Sequence, residues 1–118
     1  LRHFSASENA ILGYQDRPGY SHHGFLDLAG IVRLCRGWMR SYDVRPENTE
    51  LQAQSFSGGN QQKLVLARET YTKAADRLSA AREKAAAQLS KAVGKELPDL
   101  KLGAARFIVD LPAAPLDI

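Results

Sequence analysis

Between Asn60 and Val93 the chain holds neither proline nor glycine. Most of those residues are Ala, Leu, Gln, Glu, Lys or Arg, the side chains that favour a helix most. A continuous helix there spans roughly 50 Å, at about 1.5 Å per residue. Leu64, Tyr71, Leu78 and Ala85 stand seven apart, and Ala67, Ala74 and Ala81 fill the alternate positions. That is a heptad-like seam, kept shallow by its alanines. Gly94 is the expected stop, because glycine readily takes the left-handed conformation that ends helices. Leu97-Pro98 closes the region.

The residues ahead of this helix fall into shorter pieces. Ser5 or Ser7 is placed to cap a helix running to about Tyr14, since a serine oxygen accepts an orphan backbone N–H. Gly13 and the Gln15–Gly24 stretch, with Pro18 and Gly19, read as a loop. Asp27 caps a second helix through about Tyr42. Its apolar residues Leu28, Ile31, Val32, Cys35, Trp38 and Met39 recur at helical spacing and predict one buried stripe. Pro46 blocks a simple continuation, and residues 45–56 read as a polar connector. At the far end, residues 104–111 predict a strand, because Phe107, Ile108 and Val109 favour extended backbone. A lone strand leaves its ladder groups unpaired, so it would dock on another chain or stay loose. The expected class is mainly α: a small helical cluster followed by one long helix and a C-terminal strand.

Composition sets limits on function. The chain has 118 residues and a formal net charge of +3. No run of five or six like charges reads as a polybasic nucleic-acid arm. The single cysteine, Cys35, excludes an internal disulfide and fits a reducing compartment. No apolar run approaches the ~20 residues of a membrane span, so direct membrane insertion is not expected. The first residue is Leu1, not Met, which reads as a piece of something longer.

The segment with the most chemistry in it is Ser55-Phe56-Ser57-Gly58-Gly59-Asn60-Gln61-Gln62-Lys63. A serine and two glycines open a long helix, and this describes an anion site. The first helical N–H groups lack internal partners, and the macrodipole puts partial positive charge there. Glycines lack a Cβ, so a phosphate can come close to the backbone, and Ser57 adds a hydroxyl. An ordinary capped helix start would read the same way from these three residues alone.

The surrounding residues carry a resemblance. Phe4–Asn9 with Ile11–Tyr14, Gly24–Asp27, Tyr42–Pro46, and Ser55–Lys63 running into Leu64-Val65-Leu66-Ala67-Arg68-Glu69 resemble the ATP-binding subunits of bacterial simple-sugar ABC importers. In that family the stretch is the helical subdomain and signature motif. The resemblance implies that Ser57, Gly58, Gly59 and Gln61 face the γ-phosphate of ATP held by the opposite cassette of a head-to-tail dimer. Phe56 stands where the family has leucine. No G-x-x-x-x-G-K-[ST] occurs in the sequence, so the chain is expected not to be an enzyme by itself. ATP would be bound only in a composite site. Mg would come only through a partner cassette that carries the phosphate-binding loop. Localisation would be cytoplasmic, peripheral to the inner membrane through a transporter.

Residues 70–118 carry a second resemblance. Tyr71–Ala75, Leu78–Arg82, Ala85–Ala87, Leu89, and Glu96–Leu102 with Ala105-Arg106-Phe107 are similar to the RecN-type DNA-repair ATPase, in the returning arm of its coiled coil and the strand that re-enters the head. Two domains are therefore expected, 1–69 and 70–118, with the order of a fusion of two fragments. This second part opens rival readings: a coiled-coil interaction module that self-associates through the long helix, or a structural helical domain.

Smaller features have plainer readings. His22-His23 lacks a third ligand at metal spacing. Cys35 lies on an apolar stripe and Trp38 reads as core. Asp110 reads as a strand-end aspartate rather than a metal ligand. Lys73 and Arg77 could touch DNA, but only Tyr71 accompanies them as an aromatic.

Overall fold

The computed structural model describes residues 2–15 and 20–112. The elements are α1 (Ala6–Ile11), a two-stranded antiparallel ribbon of β1 (Ser21–His22) and β2 (Phe25–Leu26), α2 (Leu28–Ser41), one 3₁₀ turn (Ala53–Ser55) and α3 (Gly58–Glu96). The chain divides into two compact units, one reaching to Tyr71 and the other Thr72–Pro112.

In the first unit the caps fix the short elements. Ser5 accepts from the Glu8 N–H at 3.2 Å, and the Glu8 carboxylate accepts from the Ser5 N–H at 2.7 Å. This reciprocal box starts α1. The helix ends at Ile11, not at Tyr14, where Gly13 takes φ +83°. Asp27 caps α2 by accepting from the Gly30 N–H at 2.9 Å. A Cβ on Gly30 would collide with that carboxylate, so the cap itself demands glycine there. Part of the expected Gln15–Gly24 loop, residues 16–19, lies outside the described residues. Its end forms the ribbon instead, turning at His23 and Gly24, both with positive φ. This is the backbone that suits a two-residue hairpin.

The core lies between α1, α2 and the start of α3. Ile31, Leu34, Cys35, Trp38 and Met39 are buried on one face of α2. Their spacing of i, i+3, i+4, i+7 and i+8 is one helical stripe. The expected stripe included Leu28 and Val32, which are not buried, and missed Leu34. Leu28 is 67% exposed and Leu34 only 1%, because Leu28 stands at the helix's first position, ahead of the packed face. Ala6, Ala10, Ile11, Tyr20, Val44, Phe56 and Ala67 complete the core, with Leu64 and Tyr71 among the residues packed against it.

Residues 45–56 are more than a polar connector. Their backbone runs antiparallel to the first residues: Ala6 N–H donates to the Leu51 carbonyl and Ser7 N–H to the Thr49 carbonyl, each at 3.0 Å. Ala53 N–H donates to the Phe4 carbonyl at 2.9 Å, and Ser5 and Gln52 form a β-bridge. These bonds satisfy backbone groups that the short elements leave over.

In the second unit α3 passes through Gly94 without stopping and ends at Glu96. Gly94 shows no positive φ, so it is a helical residue that costs up to about 1 kcal/mol rather than a cap. The stop belongs to Pro98, which has no N–H to continue the ladder, and Lys101 then turns with φ +61°. The strand expected over 104–111 finds no ladder: residues 105–112 carry no regular structure. No described strand lies alongside to complete their hydrogen bonds, and extended propensity alone does not make a sheet.

Candidate functional site

Ser57 sits immediately before α3, and Gly58 and Gly59 are its first two residues. Gln61 N–H donates to the Ser57 carbonyl at 2.9 Å, the first bond of the helix. Asn60 N–H reaches the Ser57 hydroxyl at 3.4 Å. The Gly58 and Gly59 N–H groups come earlier than any carbonyl that the helix could offer them. Ser57, Gly58 and Gly59 are all exposed. A hydroxyl, two unclaimed N–H groups and the positive end of a helix dipole therefore share one open edge.

This edge is held from behind. Phe56 is buried in the core and anchors the chain one residue ahead of Ser57. The Asn60 amide brackets Arg45: its Nδ2 donates to the Arg45 carbonyl at 2.7 Å, and its Oδ1 accepts from the Arg45 N–H at 3.3 Å. Lys63 Nζ donates to the Asp43 carbonyl at 2.8 Å. Asp43 lies at φ +48° and accepts from Arg45 Nε at 2.9 Å. Asn60 and Lys63 stand in the motif as sequence, but their duty as ties to the 43–45 loop was not legible there. The only signal was a pair of polar side chains at i and i+3 on the helix's first turns.

Gln61 is placed differently from its three companions. Its Nε2 donates to the Phe56 carbonyl at 2.9 Å and the residue is half-buried. It also lines a cleft of about 280 Å³ with Asn9, Trp38, Leu64 and Arg68. Ser57, Gly58 and Gly59 thus come together at the open edge, while Gln61 turns inward to brace Phe56.

The two glycines are not demanded by the fold. A Cβ built at Gly58 or Gly59 meets nothing within 4 Å, and neither shows positive φ. In a helix each such glycine is less favourable than alanine by about 0.5–1 kcal/mol. The chain keeps open space there without an internal reason.

The remaining candidates scatter. Asp110 is exposed in the irregular end. Among the described residues, no three His, Cys, Asp or Glu side chains gather to hold a metal. Cys35 is fully buried, and desolvation pushes its thiol up from 9.0 to about 12, with Glu50 adding to the rise and Arg36 opposing it. A thiol held protonated this firmly is a core group, not a nucleophile. Burial likewise raises the Tyr71 hydroxyl. Its ring packs 5.3 Å from that of Trp38. Arg68 lies 5.4 Å over the Tyr14 ring and donates to the Asn9 carbonyl at 3.3 Å. Among the described residues, no helix is long and apolar enough to cross a membrane.

Comparison with known proteins adds the chemistry. No family model matches the chain, and no solved structure matches it. The chain is 42% identical over 65 residues to the nucleoside import ATP-binding protein NupA of Lactococcus lactis subsp. cremoris (strain MG1363), which covers 55% of this chain and 13% of that protein. It is 35% identical over 66 residues to the guanosine import ATP-binding protein NupO of Bacillus subtilis (strain 168), 56% of this chain and 13% of that one. Neither supports the likeness of residues 70–118 to a DNA-repair ATPase. A little over half of this chain is therefore similar to ATP-binding proteins of ABC-type import, over about an eighth of their length.

Proposed function

We propose that residues 57–59 form the signature half of a composite ATP site, completed in trans by an import cassette that carries a phosphate-binding loop. The observation that carries this reading is the open edge at Ser57, Gly58 and Gly59, with two glycines that nothing inside the chain requires. Their value then lies in what approaches from outside. A γ-phosphate suits the donor set, because it accepts from a hydroxyl and from unclaimed backbone N–H groups and gains from the dipole. The chain's part is to bind and orient the terminal phosphate. Mg and its ligands belong to the partner, and the chain does not hydrolyse ATP by itself. Gln61 contributes by fixing Phe56, and so the position of Ser57, rather than by touching the nucleotide. The similarity to nucleoside importers makes a nucleoside, which carries a ribose, or a simple sugar the cargo class of the whole machine, at the cytoplasmic face of the membrane.

Ser57→Arg tests this. The arginine would fill the edge where the phosphate must come, without touching the core. In a complex reconstituted with a loop-bearing import cassette, ATP hydrolysis should fall at least about 100-fold, the scale of losing transition-state charge stabilisation. The circular dichroism spectrum should be unchanged. Retained hydrolysis in a correctly folded variant would sink the reading.

A further inference from the structure

The second unit exposes a helical surface that the composite site does not use. From Thr72 to Glu96 five of the six cations, Lys73, Arg77, Lys84, Lys91 and Lys95, stand at successive spacings of 4, 7, 7 and 4 residues, with Arg82 off their line. At 100° per residue they fall within an arc of about 40°, a stripe about 33 Å long. All five are exposed. Beside the stripe runs the strip of Ala74, Leu78, Ala81, Ala85 and Leu89. Leu78 is 55% exposed and Leu89 50%. Asp76 and Glu83 flank the stripe on the side away from the apolar strip, about 60–80° beyond its edge, and Asp76 stands three residues from Lys73. The less exposed residues Ala86, Ser90, Val93 and Leu97 share a third face, so the strip and its basic edge stay open.

We infer that this surface receives a partner helix whose apolar seam is flanked by carboxylates at the same four-and-seven spacing. Two features on one side of a rod must be matched together: an apolar strip that wants cover and a cationic edge that wants opposite charge. A second copy of this chain fails the second requirement. In antiparallel pairing the basic edges meet each other. In parallel pairing each basic edge faces Ala75, Arg82 and Ala86, which offer no carboxylate. Duplex DNA would match the cations but leave Leu78 and Leu89 in water. A lipid surface would want a deeper apolar face with large side chains, whereas this one is mostly alanine. An acidic amphipathic helix satisfies both halves, through knobs on the seam and ion pairs along the edge. This inference does not rest on the nucleotide reading, and either can fall without the other.

Two synthetic helical peptides test it on the full chain. They share a Leu/Ala seam and differ only in carrying Glu or Lys at the flanking positions. Calorimetry at about 0.1 M salt should show the Glu peptide binding at least about tenfold tighter than the Lys peptide, a preference that weakens as salt rises. In the Lys84→Glu/Lys91→Glu chain the preference should shrink or reverse. If that variant loses helicity, the two-peptide comparison on the unmodified chain decides alone. Equal binding of both peptides, or binding of neither, overturns the inference. So does tighter binding to duplex DNA than to the Glu peptide. So does dimerisation of the chain by itself at tens of micromolar in sedimentation, unmoved by the charge reversal.

Discussion

Leu64, Ala67 and Tyr71 belong to the same heptad stripe as Leu78 and Ala85, and all five lie on one uninterrupted helix. Ala67 is buried, and Leu64 and Tyr71 pack on the core. Leu78 and Ala85 are exposed. Local helix propensity is at least as high in the far half as in the near half. What differs is company: the near half has Trp38 and Phe56 to bury its apolar face, and in the far half Leu78 and Ala85 stay exposed. Two stretches with the same pattern thus stand on different energetic footings. Burial of apolar area supports the first, and intrinsic propensity with solvated charge supports the second.

The largest effect should come from emptying the core. Leu34 is among the most buried large side chains, so Leu34→Ala should cost about 3 kcal/mol or more in urea unfolding followed by Trp38 fluorescence. Leu78→Ala, the same chemical change in the far half, should stay within about 0.5 kcal/mol. A cost above about 2 kcal/mol for Leu78→Ala would break the comparison, since it would mean that the far face is covered in solution.

Alkaline pH should weaken the first unit. The Cys35 thiol holds its proton to about pH 12 in the folded chain, against 9.0 ordinarily. The unfolded chain therefore releases that proton first as pH rises. Stability is flat below pH 9 and then falls by up to about 1.4 kcal/mol per unit between 9 and 12. Cys35→Ala should reduce that fall, leaving the part in the same direction that the raised Tyr71 hydroxyl supplies. An unchanged alkaline slope in that variant would mean that other groups control it.

Two glycines sharpen the contrast further. Gly30→Ala sets a methyl group against the Asp27 cap and should cost about 1–2 kcal/mol, the worth of a lost N-cap. Gly94→Ala, in the open half where a Cβ meets nothing, should go the other way. It should raise helix content and stabilise by about 0.5–1 kcal/mol, read as mean residue ellipticity at 222 nm. A loss of ellipticity would show that Gly94 serves a turn after all.

Much of this molecule could be read from local chemistry. Ser5 and Asp27 stand as caps because their side chains reach N–H groups only three residues away. The run from Asn60 onward is helical because nothing within it opposes a helix. The Ser57-Gly58-Gly59 edge was legible for the same reason, since a helix start is a local object. The errors came where distance in sequence hid the partner. Thr49 and Leu51 take their backbone bonds from Ser7 and Ala6, more than forty residues away. The bond from Gln61 to the Phe56 carbonyl was likewise not legible, because it depends on how the Phe56 ring enters the core.

The sequence by itself determined the three helices, the caps of the first two and the open glycine edge, because each depends on propensity and hydrogen bonds within a few residues. Only the tertiary structure decided that Leu34 and not Leu28 faces the core, that the 45–56 segment pairs with residues 4–7, and that residues 105–112 join no sheet among the described residues. Those outcomes depend on which surfaces meet, and burial is a property of the neighbour as much as of the residue.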